Sequence, residues 1–293
     1  MVTVRAPATS ANLGSGFDTF GVALETPADV VHVERAAETT ISVTGTGARY
    51  IPETPADNTV GAVAAALDAP ARIEIDKGVR PSSGMGSSAA SAAAAAVALN
   101  ELYDRGYTRR ELVAVAAEGE AVVSGAAHAD NVAPALLGGF TITRPDGTTV
   151  VDASLRLVVG LPEDPISTRD AREAVPESLS LADHVETVRN AATLAVGMCR
   201  SDPHLVGRGL DDPVVTPARA ALVEGYERAR REALSAGATG VTVSGAGPSV
   251  VAVTTSDRQR AVASALVDGF DAAGVDARAF RSGVGDGARI LDR

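Results

Sequence analysis

A chain of 293 residues with 45% hydrophobic and only 3% aromatic residues is long enough for two packed domains, expected at 1–152 and 153–293, with cores of Ala, Val, Leu and Ile. Its formal net charge of −11 excludes nucleic acid as the main partner, because phosphate binding needs clustered Lys and Arg. No stretch reaches the roughly 20 uninterrupted apolar residues that a membrane span requires, so a membrane is not expected either.

The opening MVTVRAPATS has no apolar run of signal-peptide length, which points to a cytoplasmic protein. VTVR alternates like a strand and leads into a turn-rich stretch, Pro7–Asp18. Strand-like runs follow at Val22–Leu24, Val30–Val33 and Ile41–Val43. Asn58 is placed to start a helix through Val63 to Leu67, and ARIEI (Ala71–Ile75) returns as a strand. Lys77 is the sole lysine among 26 basic residues. Acidic excess with almost no lysine suggests adaptation to high salt, where the Debye length falls to about 3 Å at 1 M and self-repulsion is screened; the alternative is a GC-rich genome that favours Arg codons.

After the loop Pro81–Ser88, an alanine-rich segment from Ala89 to Leu102 has high helix propensity and is apolar nearly all round, so a buried helix is predicted. Thr108 and Glu111 read as a capping box for a helix to about Val123. A short apolar helix or turn and the strand GGFTITR follow, and Pro145–Asp152 reads as a hairpin turn at the domain boundary. The second half predicts a strand at Leu155–Gly160 and helices near Ser180–Cys199 and Ala218–Ala236. Strands at Val241–Ser244 and Val250–Thr254 precede a helix at Arg258–Ala273, capped by Ser256, and a last strand at Val275–Phe280. Cys199, the only cysteine, excludes an intramolecular disulfide and reads as a free core thiol. Without strict βα alternation, α+β is the expected fold class.

Three glycine-rich loops can carry chemistry. Pro81-Ser-Ser-Gly-Met-Gly-Ser-Ser-Ala89 stands between a strand and a long helix. Glycines let backbone approach an anion there, and the helix start offers bare N–H donors and about half a positive charge. It lacks the GK of a Walker loop and is not G-x-G-x-x-G, and a tight strand-to-helix turn explains it as well. Ser244-Gly-Ala-Gly-Pro248 lies between two strands and, taken alone, reads first as a plain hairpin. Pro7–Asp18 puts Asn12 and Asp18 on a glycine-supported loop.

In this order and at roughly these positions, the loops resemble the three motifs of the GHMP kinases. APATSANLGSGFDTFG, SGMGSSAAS, HADNVAPALLGG and SGAGPSV are similar to those of the homoserine kinase branch, over residues 3 to about 254. The resemblance implies a ribosomal-protein-S5-domain-2-like N-terminal domain and a ferredoxin-like C-terminal domain with the active site between them. It also implies ATP and Mg²⁺, transfer of phosphate to L-homoserine in threonine biosynthesis, and a homodimer.

By resemblance, the backbone of Pro81, Ser82, Ser83, Gly84, Met85, Gly86, Ser87 and Ser88 cradles the triphosphate, and Ser88 with Glu120 ligands Mg²⁺. Asn58 and Lys77 match positions near the nucleotide base and ribose. Glu120 alone reads as a solvated helix face, with its neighbour Glu118 the other candidate ligand, Asn58 as a helix cap and Lys77 as a solvated side chain. Asn12 and Asp18 resemble residues that hold the substrate ammonium, while Arg172 and Arg219 resemble those that clamp its carboxylate with a planar fork. His128, Asp130 and Gly245 line the same pocket. Asn131 stands where other branches carry a basic aspartate. It orients the hydroxyl, so no side-chain general base is implied, a loss of about 10²–10⁴-fold that positioning can offset. Thr216 replaces the family's usual glutamate, Ser15 a common proline, and PSSGMGSS the usual PxGSGLGSS. Two alternatives stand beside this reading: a kinase for shikimate or mevalonate, and a GHMP-fold metabolite sensor without turnover.

Overall fold

Apolar residues alternate with charged ones along ARIEIDK, and the strand they form buries Ala71, Ile73, Ile75 and Lys77 on one face and exposes Arg72, Glu74 and Asp76 on the other. The computed structural model describes residues 1–124 and 129–293. Its first half runs β1 (Val2–Ala11), β2 (Phe20–Arg35), β3 (Thr40–Gly45), α1 (Thr59–Ala66), β4 (Ala71–Lys77), α2 (Ser87–Leu102), α3 (Glu111–Ser124), α4 (Ala129–Leu137), β5 (Phe140–Arg144) and β6 (Gly147–Val151). The second half runs β7 (Arg156–Pro162), α5 (Thr168–Glu173), α6 (Leu181–Arg200), α7 (Pro203–Gly209), α8 (Val215–Ala220), α9 (Tyr226–Ser235), β8 (Ala238–Val243), β9 (Val250–Thr254), α10 (Gln259–Asp271), β10 (Ala277–Gly283) and β11 (Arg289–Asp292).

Among the described residues the strands form two sheets. The first has the order β11-β1-β2-β4-β3, with β5 and β6 continuing from β2; the second has the order β10-β7-β9-β8. The apolar runs at Val22–Leu24 and Val30–Val33 belong to one long strand, β2. Its start pairs with β5 and its end with β4, while β1 spans both along the other edge. Residues 145–152 are not only a turn, because Gly147–Val151 pairs with β5. The chain's end was not legible as a strand, yet Arg289–Asp292 crosses back to β1.

Helix α2 is buried from Ala89 to Leu99, and the alanines let it lie close to the first sheet and to α1, α3 and α4 in one apolar cluster. In the second sheet the central strands β7 and β9 are apolar on both faces. Leu157, Val159, Leu161, Val251 and Val253 face a cluster shared with Ala8, Leu13, Phe20 and Met85 of the first half. Val158, Val250 and Ala252 face α9 and α10. The first of these clusters joins the halves and fixes the cleft beside it.

The caps at Asn58 and Thr108/Glu111 form as expected. Ser256 does not cap α10, whose N-cap is Arg258, and the helix expected over 218–236 breaks into α8 and α9 around Gly225, at φ 79°. Cys199 is exposed rather than a core thiol: it falls in the last turn of α6, beside the buried Met198, on the solvent side. No helix among the described residues is long and apolar enough to cross a membrane.

Candidate active site

The three glycine-bearing loops meet where the halves abut. The β8–β9 turn reaches back, its Gly245 N–H donating to Ala11 O at 2.9 Å and its Ser249 N–H to Ser83 O at 3.1 Å. Ser244 Oγ lies 2.8 Å from both Ser10 Oγ and Gly84 O, and Thr9 N–H donates to Met85 O at 3.0 Å. These bonds hold residues 81–88 against a cavity of about 490 Å³.

Helix α2 opens onto that cavity at Gly86, whose backbone is left-handed (φ 60°) and which offers no side-chain cap. A Cβ at Gly86 would come within 2.1 Å of Thr9 Oγ1 and 2.8 Å of Asn131 Oδ1, so glycine is required there. The first N–H groups of a helix have no intrahelical acceptor, and the macrodipole adds positive potential. With Gly86, Ser87 and Ser88 all lining the cavity, this terminus has the donors and potential that a phosphate would need.

Beside it, Ser88 Oγ donates to Glu120 Oε2 at 2.9 Å. Glu120, on α3, is 7% exposed. Burial pushes its carboxyl up to about 7; the Ser88 bond and the Lys77 charge pull it down, and Asp130 pushes it up. A buried carboxylate of this kind gains most from a cation. No cluster of three His, Cys, Asp or Glu occurs among the described residues, so an ion here must complete its shell with phosphate oxygens and water. That donor set fits Mg²⁺ carried on a nucleotide.

The far end of the cavity is charged. Arg172, on α5, donates through Nη1 and Nη2 to Asp18 Oδ2 at 3.0 and 2.6 Å, and Asn12 Oδ1 accepts from Asp18 N–H at 2.9 Å. Arg219, on α8, is 5% exposed and donates to Gly245 O at 2.8 Å. Burial depresses the pKa of its guanidinium, against the pull of Asp18. The Phe17 ring lies 4.9 Å from the Arg219 guanidinium and 5.4 Å from that of Arg172. Asp130 and Asn131 line the wall between the two ends, and Asn131 Oδ1 accepts from Thr9 Oγ1 at 2.8 Å.

Thus Asn12, Asp18, Asp130, Asn131, Arg172, Arg219 and Gly245 share one cavity with Pro81, Ser82, Ser83, Gly84, Gly86, Ser87, Ser88 and Glu120. Met85 instead turns its side chain into the core, at 1% exposed. His128 lies outside the described residues. Asn58 lines the cavity, but its carboxamide caps Val60 N–H and donates to Pro52 O, so it serves as a helix cap. Lys77 also lines the cavity, but it is not solvated, at 3% exposed. Its three ammonium donors go to Asp29, to Ser87 O at 2.7 Å and to Ser91 Oγ at 2.8 Å. Asp29 also accepts from Gly78 and Val79 N–H, so this buried pair ties down both ends of the loop before α2. The solvated reading of Lys77 follows from ending the strand at Ile75; carrying its period-2 alternation on through Lys77 is the signal that puts it on the core face, and no sequence signal marks Asp29, Phe17 or Thr9.

A bare helix terminus, a hydroxyl–carboxylate pair and a charged recess within one cleft describe a phosphoryl-transfer site. Residues 57–139 match the GHMP kinases N terminal domain, and residues 194–272 match the GHMP kinases C terminal region. A homoserine kinase of Halorubrum lacusprofundi is 68% identical over all of both chains. One from Natronomonas pharaonis is 66% identical over 99% of this chain and 100% of its own. The crystal structure of homoserine kinase from Cytophaga hutchinsonii superposes with a TM-score of 0.90 at 34% identity, covering 99% of this chain and 97% of that one. The chain belongs to the GHMP kinase family, in its homoserine kinase branch.

Proposed function

We propose that the chain transfers the γ-phosphoryl group of ATP to the side-chain hydroxyl of L-homoserine, releasing ADP and O-phospho-L-homoserine. What carries this reading is that the uncapped start of α2 and the Asp18, Arg172 and Arg219 charges line one cavity. The amides of residues 83–88 hold the triphosphate; Ser88 and Glu120 would hold Mg²⁺, which would supply positive charge against that of the phosphates. Asp18 and Asn12 take the substrate ammonium, while Arg219 and Arg172 take the carboxylate. Asn131, its carboxamide fixed by Thr9, orients the hydroxyl. An amide takes no proton, so the proton leaves on phosphate or water, which a loose phosphoryl-transfer transition state tolerates.

Shikimate and mevalonate carry no ammonium for Asp18. A coupled ADP-release assay is expected to give homoserine the highest kcat/KM of the three alcohols. A higher value for either of the others, or no turnover at all, overturns the proposal.

Arg219→Leu removes a charged donor from a buried carboxylate site, worth about 1.5–3 kcal/mol. The KM for homoserine is therefore expected to rise about 10- to 100-fold, with the KM for ATP nearly unchanged; an unaltered homoserine KM would contradict the assignment. The charge of −11 also predicts salt dependence. The thermal midpoint should be higher at about 1 M KCl than at about 0.15 M, where the Debye length is near 8 Å, and equal midpoints would refute it.

A further inference from the structure

One carboxylate joins the loop that carries Asp18 to the helix that carries Arg219. Gly14, at φ 50°, brings that loop against the end of α7, so closely that a Cβ there would lie 2.7 Å from Leu210 Cα and 2.9 Å from Gly209 O. The next residue, the buried Ser15, donates through Oγ to Asp211 O at 3.3 Å and to Asp212 Oδ1 at 3.4 Å. The other oxygen of Asp212 accepts from Thr216 N–H in the first turn of α8.

Helix α8 has little else to fix it. Six residues are too few for a helix that is stable alone, and its N-cap, Val214, makes no side-chain bond. Pro217 has no N–H, so the bond from Asp212 to Thr216 is the cap that this turn has. Thr216 Oγ1 also meets Thr242 Oγ1 of β8 at 3.1 Å. Ser15 and Thr216, both noted above as departures from the family pattern, thus meet on one carboxylate. Burial is the main cause of the depressed Arg219 pKa, and Asp212 is among the carboxylates that oppose it. None of Ser15, Asp212 and Thr216 lines the cavity.

Resting on the reading above, we propose that Asp212 is a positioning residue that fixes α8 against the Asp18 loop, and so sets where Arg219 meets the substrate. Arg219 reaches Gly245 O and the Phe17 ring from the last turn of α8. A helix free to turn would carry the guanidinium off both, and one small zwitterion could no longer meet Asp18 and Arg219 together.

The test separates positioning from stability. Asp212→Ala removes both acceptors, and the KM for homoserine should rise about three- to tenfold, the range for a lost helix cap, with the KM for ATP nearly unchanged. Asp212→Asn keeps an oxygen for Thr216 N–H and an amide for Ser15 Oγ, so it should recover most of that loss. Ser15→Ala cuts only the tie to the Asp18 loop. It should raise the same KM about twofold, the low end for so long a hydrogen bond, and add nothing on top of Asp212→Ala. A residue that merely stabilised the fold would lower the thermal midpoint and leave the KM of the folded enzyme where it was. An unchanged homoserine KM in Asp212→Ala, an equal rise for ATP, or no recovery in Asp212→Asn overturns the proposal. Should Asp212→Ala not fold, an unchanged homoserine KM in Ser15→Ala overturns it. Failure of the parent chain to phosphorylate homoserine would instead strike the proposed function, so the two failures are separable.

Discussion

At pH 8 and without nucleotide, Glu120→Gln is expected to stabilise the folded chain by about 3 kcal/mol while lowering turnover by about 10²–10³-fold. Burial raises the folded carboxyl from 4.5 to about 7, and each pH unit of such a displacement is worth about 1.4 kcal/mol. Below pH 4.5 the group is protonated in both states, so the stability it contributes is fully present. As pH rises toward 7 the unfolded chain releases its proton and the folded one keeps it, so stability falls, and above 7 the loss is complete. Glutamine keeps the shape and hydrogen bonding of the neutral acid and avoids that loss. It cannot supply the negative charge a phosphate-borne cation needs, so calorimetry should show weaker nucleotide binding in Mg²⁺. Denaturant unfolding at pH 8 and pH 5 checks the stability claim: the gain should shrink markedly at pH 5. A variant less stable than the parent at pH 8 would mean that the carboxylate is compensated within the protein itself.

Lys77→Met is expected to cost about 3–5 kcal/mol of stability, because it strands the Asp29 carboxylate where its partner side chains are 2% and 0% exposed. The loss also releases Ser87 O at the first turn of α2, while Ser91 Oγ keeps its bond to Asp29 at 2.8 Å, so the KM for ATP should rise along with it. Adding Asp29→Asn removes the stranded charge while keeping an acceptor for Gly78 and Val79 N–H, and it should recover part of the stability. Urea unfolding of the single and double variants decides this. Should the single variant lose less than 1 kcal/mol, the pair is not what holds the loop.

The features with a local chemical cause were the legible ones. Alanine richness marked α2 as a buried helix, Asn58 and the Thr108/Glu111 box marked two helix starts, and glycine–serine clusters marked the loops that converge on the cavity. Features made by distant partners were not legible. Lys77 is 48 residues from Asp29, and only the strand alternation hinted that it faces inward. Asp18 and Arg172 are 154 residues apart, so nothing in either segment announced that the charges expected on the substrate would meet each other. Phe17 looked like one more apolar residue in a motif, yet it is the surface on which two arginines rest. Residues 289–292 form a strand because β1 offers an edge, not because ARILD has a strong strand pattern of its own.

The most direct measurement is a crystal structure with homoserine and a non-hydrolysable ATP analogue bound together. The β- and γ-phosphates are expected on the amides of residues 83–88, with the homoserine hydroxyl at Asn131 and its carboxylate on Arg219. Phosphates bound away from the start of α2, or an amino-acid group that does not reach Asp18 and Arg219, would contradict the site proposed here.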